Sequence, residues 1–283
     1  MQRIMLLLAL LLIGLITSYS LLLAAGKPAP GIHPIVDLNY FEEKPAANQE
    51  KGSLFGGSVD GKWVDGDTLM ARLKACEQYR IYSTTKFLGI YTADKPKKDP
   101  DYAGELAPEL TFKLPSGTTR AQTLIGIAGG WNALPRIPIE ESVKEPTYQQ
   151  VVKDYLIKHG IKGAKVNITR ILRIDLDGDH SNEVLISATS PNKYILEDSH
   201  KGDYSVVLLR KIIKGKAITI PVEEYLYNGE EASQYTLQGA FDVNGDAVME
   251  ILVGWKYVSG SGSTIYSVKN NNVLELLRSG GGV

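Results

Sequence analysis

The sequence predicts a mainly β protein: antiparallel four-stranded repeats, arranged as propeller blades or as a sandwich, with one packed helix and a small N-terminal β-rich domain. Three observations predict it. Asp175-Leu-Asp-Gly-Asp-His-Ser-Asn-Glu-Val-Leu-Ile186 returns sixty-seven positions later as Asp242-Val-Asn-Gly-Asp-Ala-Val-Met-Glu-Ile-Leu-Val253. Each copy stands in the same context, one strand-like run before it and three after it. Only one segment of the chain sustains a long helical period.

The elements follow in chain order. Residues 1–26 read as a secretory signal: Arg3, an aliphatic run from Ile4, a polar break at Thr17-Ser-Tyr-Ser20, then Ala24 and Gly26 at cleavage-site spacing. The rival reading is an uncleaved anchor, since the run is long enough for a hydrocarbon core of about 30 Å. Either way the remainder lies outside the cytoplasm, secreted, in the cell envelope or N-terminally tethered. Residues 27–51, rich in Pro, Ala, Gly and Glu, read as a linker. Residues 52–139 read as the small β-rich domain. Tyr79–Ser83 and Phe87–Tyr91 suggest a hairpin, Leu110–Leu114 and Thr123–Ile127 further strands, and Asp67–Glu77 a short helix. Asp65-Gly-Asp67 reads as a plain acidic turn.

Residues 145–283 carry the helix and both repeats. Thr147 and Gln150 have capping-box spacing, Tyr148, Val151, Val152 and Tyr155 make one face, and Gly160 is the stop. His159, in the last turn, suits the negative end of the helix dipole. Strands are expected at 168–174, 184–188, 204–213 and 217–225, then at 235–241, 251–257, 263–269 and 273–278. Lys214-Gly-Lys216 and Asn270-Asn-Asn272 are their turns. A unit of about 67 residues with four antiparallel strands matches a propeller blade. Two blades cannot close a ring, so either residues 52–139 hold two degenerate blades or the repeat sheets pack face to face. The helix, which interrupts any regular succession of blades, favours the second.

The repeated loops carry chemistry. Oxygen-bearing side chains at positions 1, 3, 5 and 9 of a tight loop are what calcium needs, because it takes about 6–8 oxygen ligands. The first loop offers Asp175, Asp177, Asp179, the Ser181 carbonyl and Glu183; the second offers Asp242, Asn244, Asp246, the Val248 carbonyl and Glu250. Gly178 and Gly245 let the backbone turn. Two Ca2+ sites are expected, the 175–183 site being tighter because it holds one more carboxylate. An EF-hand fits poorly: positions 6 and 12 are His180 and Ile186, or Ala247 and Val253, and the flanks are strand-like. The plain alternative is a pair of Asx-rich turns that bind nothing.

The pattern Asp-x-(Asp/Asn)-Gly-Asp-x-x-x-Glu followed by three aliphatics resembles the calcium loops of integrin-alpha-type β-propeller repeats, the FG-GAP and VCBS families. The resemblance covers about 120 residues, from Lys165 to the C-terminus. It implies calcium ligation by Asp175, Asp177, Asp179 and Glu183, and by Asp242, Asn244, Asp246 and Glu250. Both copies depart from the pattern in lacking glycine at position 6, and no Phe-Gly…Gly-Ala-Pro segment is present.

Composition bounds the function. The 31 Lys+Arg against 32 Asp+Glu leave no basic excess for nucleic acid. Cys76 is the one cysteine, so there is no internal disulfide, and it reads as a small buried side chain. None of His33, His159, His180 and His200 stands at metal-ligand spacing from another, and no zinc-protease, nucleophile-elbow or Walker-type motif occurs. The expectation is a non-catalytic, calcium-stabilised, exported binding protein for a glycan or a surface protein, touching membrane only through the N-terminal segment. The alternative is an exported carboxylate- or metal-dependent hydrolase. Trp255, Tyr257 and Tyr266, which flank Ser259-Gly-Ser-Gly-Ser263, are the candidate ligand contacts.

Overall fold

A computed structural model of the protein describes residues 26–39, 49–75, 77–100, 106–113 and 124–282. The apolar N-terminal run and Cys76 lie outside the described residues. The chain is mainly β, and its described residues form three antiparallel sheets and two helices.

The first sheet holds β1 (Ile32–Asp37), β2 (Gln49–Val59), β3 (Lys62–Asp65), β4 (Glu77–Tyr82), β5 (Phe87–Ala93), β6 (Glu109–Lys113) and β7 (Ile125–Ile127). Their order is β1-β7-β4-β5-β6-β2-β3, and β1 also pairs with β2, so six strands return on themselves as a barrel-like sheet. Val36, Leu54, Tyr79, Ile81, Leu110 and Phe112 fill it. The short α1 (Gly66–Met70) adds Leu69 to this filling. Asp65, read as a plain turn, is the cap of α1, accepting from Thr68 N at 2.9 Å and Thr68 Oγ1 at 2.8 Å. Two sequence expectations are corrected here. The stretch read as a linker supplies β1 and the first residues of β2, because Ile35 and Val36 have a buried surface to join. Residues 52–139 do not form two further blades, since their principal strands close on one another with β1.

The second sheet is β8 (Ile139–Glu140), β9 (Ile168–Ile174), β10 (Glu183–Thr189), β11 (Tyr204–Ile213) and β12 (Lys216–Leu226), ordered β12-β11-β10-β9-β8. The third is β13 (Gln234–Phe241), β14 (Glu250–Tyr257), β15 (Gly260–Lys269) and β16 (Asn272–Gly282), ordered as numbered. Each repeat is therefore a four-stranded meander, with its acidic loop between the first two strands. The closing hairpins use two-residue turns with both φ positive, Lys214-Gly215 at 50° and 74° and Asn270-Asn271 at 52° and 63°. Such turns match the right-handed twist of the paired strands.

The second sheet is covered on both faces, which is why β10 is buried along its whole length. On one side lies α2 (Pro146–Lys158), whose Val152, Tyr155 and Leu156 pack on Ile171, Ile186, Val206 and Leu208. Burying each of those three helix side chains is worth roughly 1.5–3 kcal/mol. On the other side a central core joins all three sheets, with Ile35 and Phe55 from the first, Leu185 and Val207 from the second, and Phe241 and Leu252 from the third. The capping box is corrected: the N-cap of α2 is Glu145, without a side-chain cap, and Pro146 opens the helix. Thr147 instead donates to Glu145 Oε1 at 3.3 Å and Gln150 to Asp154 at 2.7 Å. Gly160 does mark the stop, at φ 89°, just after His159.

Candidate metal centre

The two loops fold alike, and the reason is legible position by position. The first carboxylate takes two backbone N–H groups across the turn. Asp175 Oδ1 accepts from Gly178 at 2.7 Å and Oδ2 from His180 at 3.1 Å. Asp242 does the same with Gly245 at 2.7 Å and Ala247 at 2.9 Å. The third residue accepts from the fifth, Asp177 from Asp179 at 3.3 Å and Asn244 from Asp246 at 3.0 Å. The fifth accepts from the seventh, Asp179 from Ser181 at 2.7 Å and Asp246 from Val248 at 2.8 Å. The glutamate that opens the next strand reaches back to the second residue, Glu183 to Leu176 at 2.9 Å and Glu250 to Val243 at 3.1 Å. A carboxylate has about four lone-pair sites, so these bonds leave capacity for a cation.

Positions 4 and 6 are left-handed in both copies. Gly178 and Gly245 both have φ 79°, while His180 and Ala247 have 68° and 65°. The loops thus keep the backbone conformation for which glycine is favoured at position 6, although neither has that glycine. Holding a non-glycine residue there costs about 1–2 kcal/mol, offset by the ring of backbone bonds.

The environments differ. In the first loop, one carboxylate oxygen from each of Asp175, Asp177 and Glu183 lies within 4.8 Å of the others, so these three could hold a metal ion. Asp179 stands outside that group. Lys211, from β11, reaches into the same place, its Nζ 2.6 Å from Asp177 Oδ2 and 2.8 Å from Glu183 Oε1. Burial alone would lower the lysine pKa, but its bonds to Asp177 and Glu183 outweigh that and push it up to about 12. Burial raises Glu183, and the lysine opposes the rise.

In the second loop the equivalent trio is Asp242, Asn244 and Glu250, all buried. Continuing the strand registers places Ser267 opposite Glu250, where Lys211 stands opposite Glu183. Among the described residues Asp242, Asp246 and Glu250 form no ion pair. Glu250 is raised well above the ordinary carboxylate range by burial, with Asp246 and Asp242 adding repulsion. Burial raises Asp242 too, against the N–H bonds it accepts.

Three supporting residues carry no motif and were not singled out in the sequence. Arg136 joins the loops: Nε donates to Asp175 O at 2.5 Å, and Nη2 to Leu176 O at 2.9 Å and Ala247 O at 2.6 Å. Met249 N donates to Leu176 O at 2.8 Å, so the two loops also touch directly. Trp131 underlies the second loop, its Nε1 donating to Asp242 O at 2.8 Å, and a Cβ added at Gly245 would meet its ring at 2.9 Å. Lys211 is the third. Only the β10–β11 register could have flagged it, and that register is not written in the loop.

The aromatic candidates separate. Trp255 and Tyr257 stack, 5.7 Å between centroids and 9° between planes. Each covers a pair of glycines on the neighbouring strands, Trp255 over Gly262 and Gly280, Tyr257 over Gly260 and Gly282. Tyr266 does not join them: it is buried and donates its hydroxyl to Glu223. Trp255 also borders a cleft of about 280 Å³ with Asn39, Gln234, Gln238, Ser261 and Ser263. A groove of about 650 Å³ runs between α2 and the β11–β12 hairpin. Beside it Glu224 accepts from Tyr155 at 2.5 Å, with His159 Nδ1 3.5 Å from the same oxygen, which ties α2 to β12.

No family model matches the chain, and no curated protein or solved structure matches it either.

Proposed function

We propose that the protein is an exported, non-catalytic binding protein whose two acidic loops take calcium and thereby stiffen the junction between its repeats. The observation that carries this reading is the pair of loops with the same hydrogen-bond ring, the first of which brings carboxylate oxygens of Asp175, Asp177 and Glu183 within 4.8 Å of one another. Hard oxygen donors with carboxylate charge suit calcium rather than zinc or copper, which favour nitrogen and sulfur. The ligand side of the reading rests on the cleft beside Trp255. Amides, hydroxyls, one indole and the Lys256 side chain line it, a set that suits a polyhydroxylated ligand such as a glycan. The FG-GAP and VCBS resemblance agrees with this reading, and the apolar N-terminal run supports export.

Calcium bound only by the folded protein stabilises it by RT ln(1 + [L]/Kd), about 2.7 kcal/mol at a hundredfold excess over Kd. Thermal melts in millimolar calcium should therefore lie several degrees above melts in chelator. Coincident melts would reduce the loops to ordinary turns. A glycan array, read with Trp255→Ala as control, tests the ligand class.

A further inference from the structure

We infer that Lys211 is a built-in competitor for the cation of the first loop, so that the second loop is the tighter calcium site. This rests on the calcium reading above and reverses the order that carboxylate counting gives. The first loop has four carboxylates, but one ammonium sits among them, 2.6 Å from Asp177 and 2.8 Å from Glu183. The second has three carboxylates and an amide and, among the described residues, no ammonium. Counted as fully ionised, the two loops carry the same net charge toward an incoming ion. What differs is the work of entry. An ion at the first loop must displace Lys211 from two charge-assisted bonds, whereas at the second it meets a buried glutamate with no counter-charge among the described residues.

The surroundings reinforce the order. The second loop is packed from outside by the chain at its N-terminal side, Ala29 N donating to Asn244 O at 2.9 Å. It is held from beneath by Trp131. A site already held in shape loses less conformational freedom on binding. In the first loop, Asp175, Asp177, Gly178 and His180 line a cleft of about 330 Å³, to which the second loop contributes only Ala247.

Calorimetric titration of the mature protein with calcium alone tests this, using the wild type, Lys211→Met and Asp246→Ala. Methionine keeps the unbranched shape and most of the length of the lysine side chain and removes its charge. A hydrogen bond to a charged group is worth roughly one to two powers of ten in an equilibrium constant. Lys211→Met should therefore tighten the weaker class of site by at least about tenfold, leaving the tighter class unchanged, and Asp246→Ala should abolish the tighter class. Unchanged affinities in Lys211→Met, or loss of the weaker class in Asp246→Ala, would overturn the inference while leaving the calcium reading intact. No binding heat in any of the three proteins would instead remove the calcium reading itself. Because Lys211→Met leaves Glu183 and Asp177 without their partner, a measurement on the wild type runs beside it. Acylation of Lys211, followed by peptide mass, should accelerate as calcium fills the weaker class. A rate that stays constant through that filling overturns the inference equally.

Discussion

The two acidic loops share a backbone and differ in their company. Both close the same ring, from the first carboxylate to the fourth and sixth N–H and from the glutamate back to the second. Yet one has an ammonium among its carboxylates and borders an open cleft, while the other is buried over Trp131 with a glutamate that resists ionisation. The ring is a property of nine consecutive residues. The charge balance is set by residues far along the chain, such as Lys211 on β11 and Trp131 before β8. A sequence repeat therefore guarantees equal geometry and leaves affinity open.

The largest contrast should come from the first position. Asp242→Ala leaves three backbone donors without their acceptor in a buried loop, at Asn244, Gly245 and Ala247. Each such loss is worth about 1–3 kcal/mol, so on the order of 4 kcal/mol is expected. Asp175→Ala strands two donors where water can reach them and should cost about 1–2 kcal/mol. Denaturant unfolding in chelator measures both, and equal losses would break the contrast. Next comes the residue that joins the loops. Arg136→Ala removes the partner of three carbonyl oxygens and should cost about 2–3 kcal/mol. Arg136→Lys should rescue little of it, because an ammonium cannot reproduce the planar fork.

The glutamates should differ in pH dependence. Glu250 has its pKa raised well above its ordinary 4.5 by burial, so the folded state holds that proton more tightly than the unfolded state. The resulting stability is present at low pH and is lost as pH rises through the folded pKa. In chelator, Glu250→Gln should therefore melt above wild type at neutral pH, and the two melts should converge below pH 4.5. Glu183→Gln should show no such gain, since it deprives Lys211 of a partner. A matching gain there would mean that the lysine does not balance its loop. The smallest effect is conformational. His180→Gly and Ala247→Gly each relieve a left-handed non-glycine residue and should stabilise by about 0.5–1 kcal/mol, read as a rise in Tm. A fall at either site would show that the side chain contributes more than its backbone strain costs.

Much of the fold was legible. The strands of both repeats follow from alternating and aliphatic runs between turn residues, and β9 and β11 have the expected bounds, Ile168–Ile174 and Tyr204–Ile213. The hairpin turns at Lys214-Gly215 and Asn270-Asn271 follow from residues that accept positive φ. The barrel was not legible. Its closure depends on β1, whose few apolar residues sit in a Pro- and Gly-rich stretch, and on pairings between strands distant in sequence. The motif gave the acidic positions of the loops, but Lys211, Arg136 and Trp131 reach them through tertiary contacts that leave no local signal. Tyr266 shows the converse, an aromatic close to the others in sequence that points into the core.

The most direct measurement is a series of crystal structures at graded calcium concentrations, with ion density and Lys211 followed together. At low calcium, ion density should appear first among Asp242, Asn244 and Glu250, while Lys211 keeps its contacts with Asp177 and Glu183. At high calcium, ion density in the first loop should coincide with departure of Lys211. Ion density that appears first among Asp175, Asp177 and Glu183, with the second loop still empty, would contradict the account.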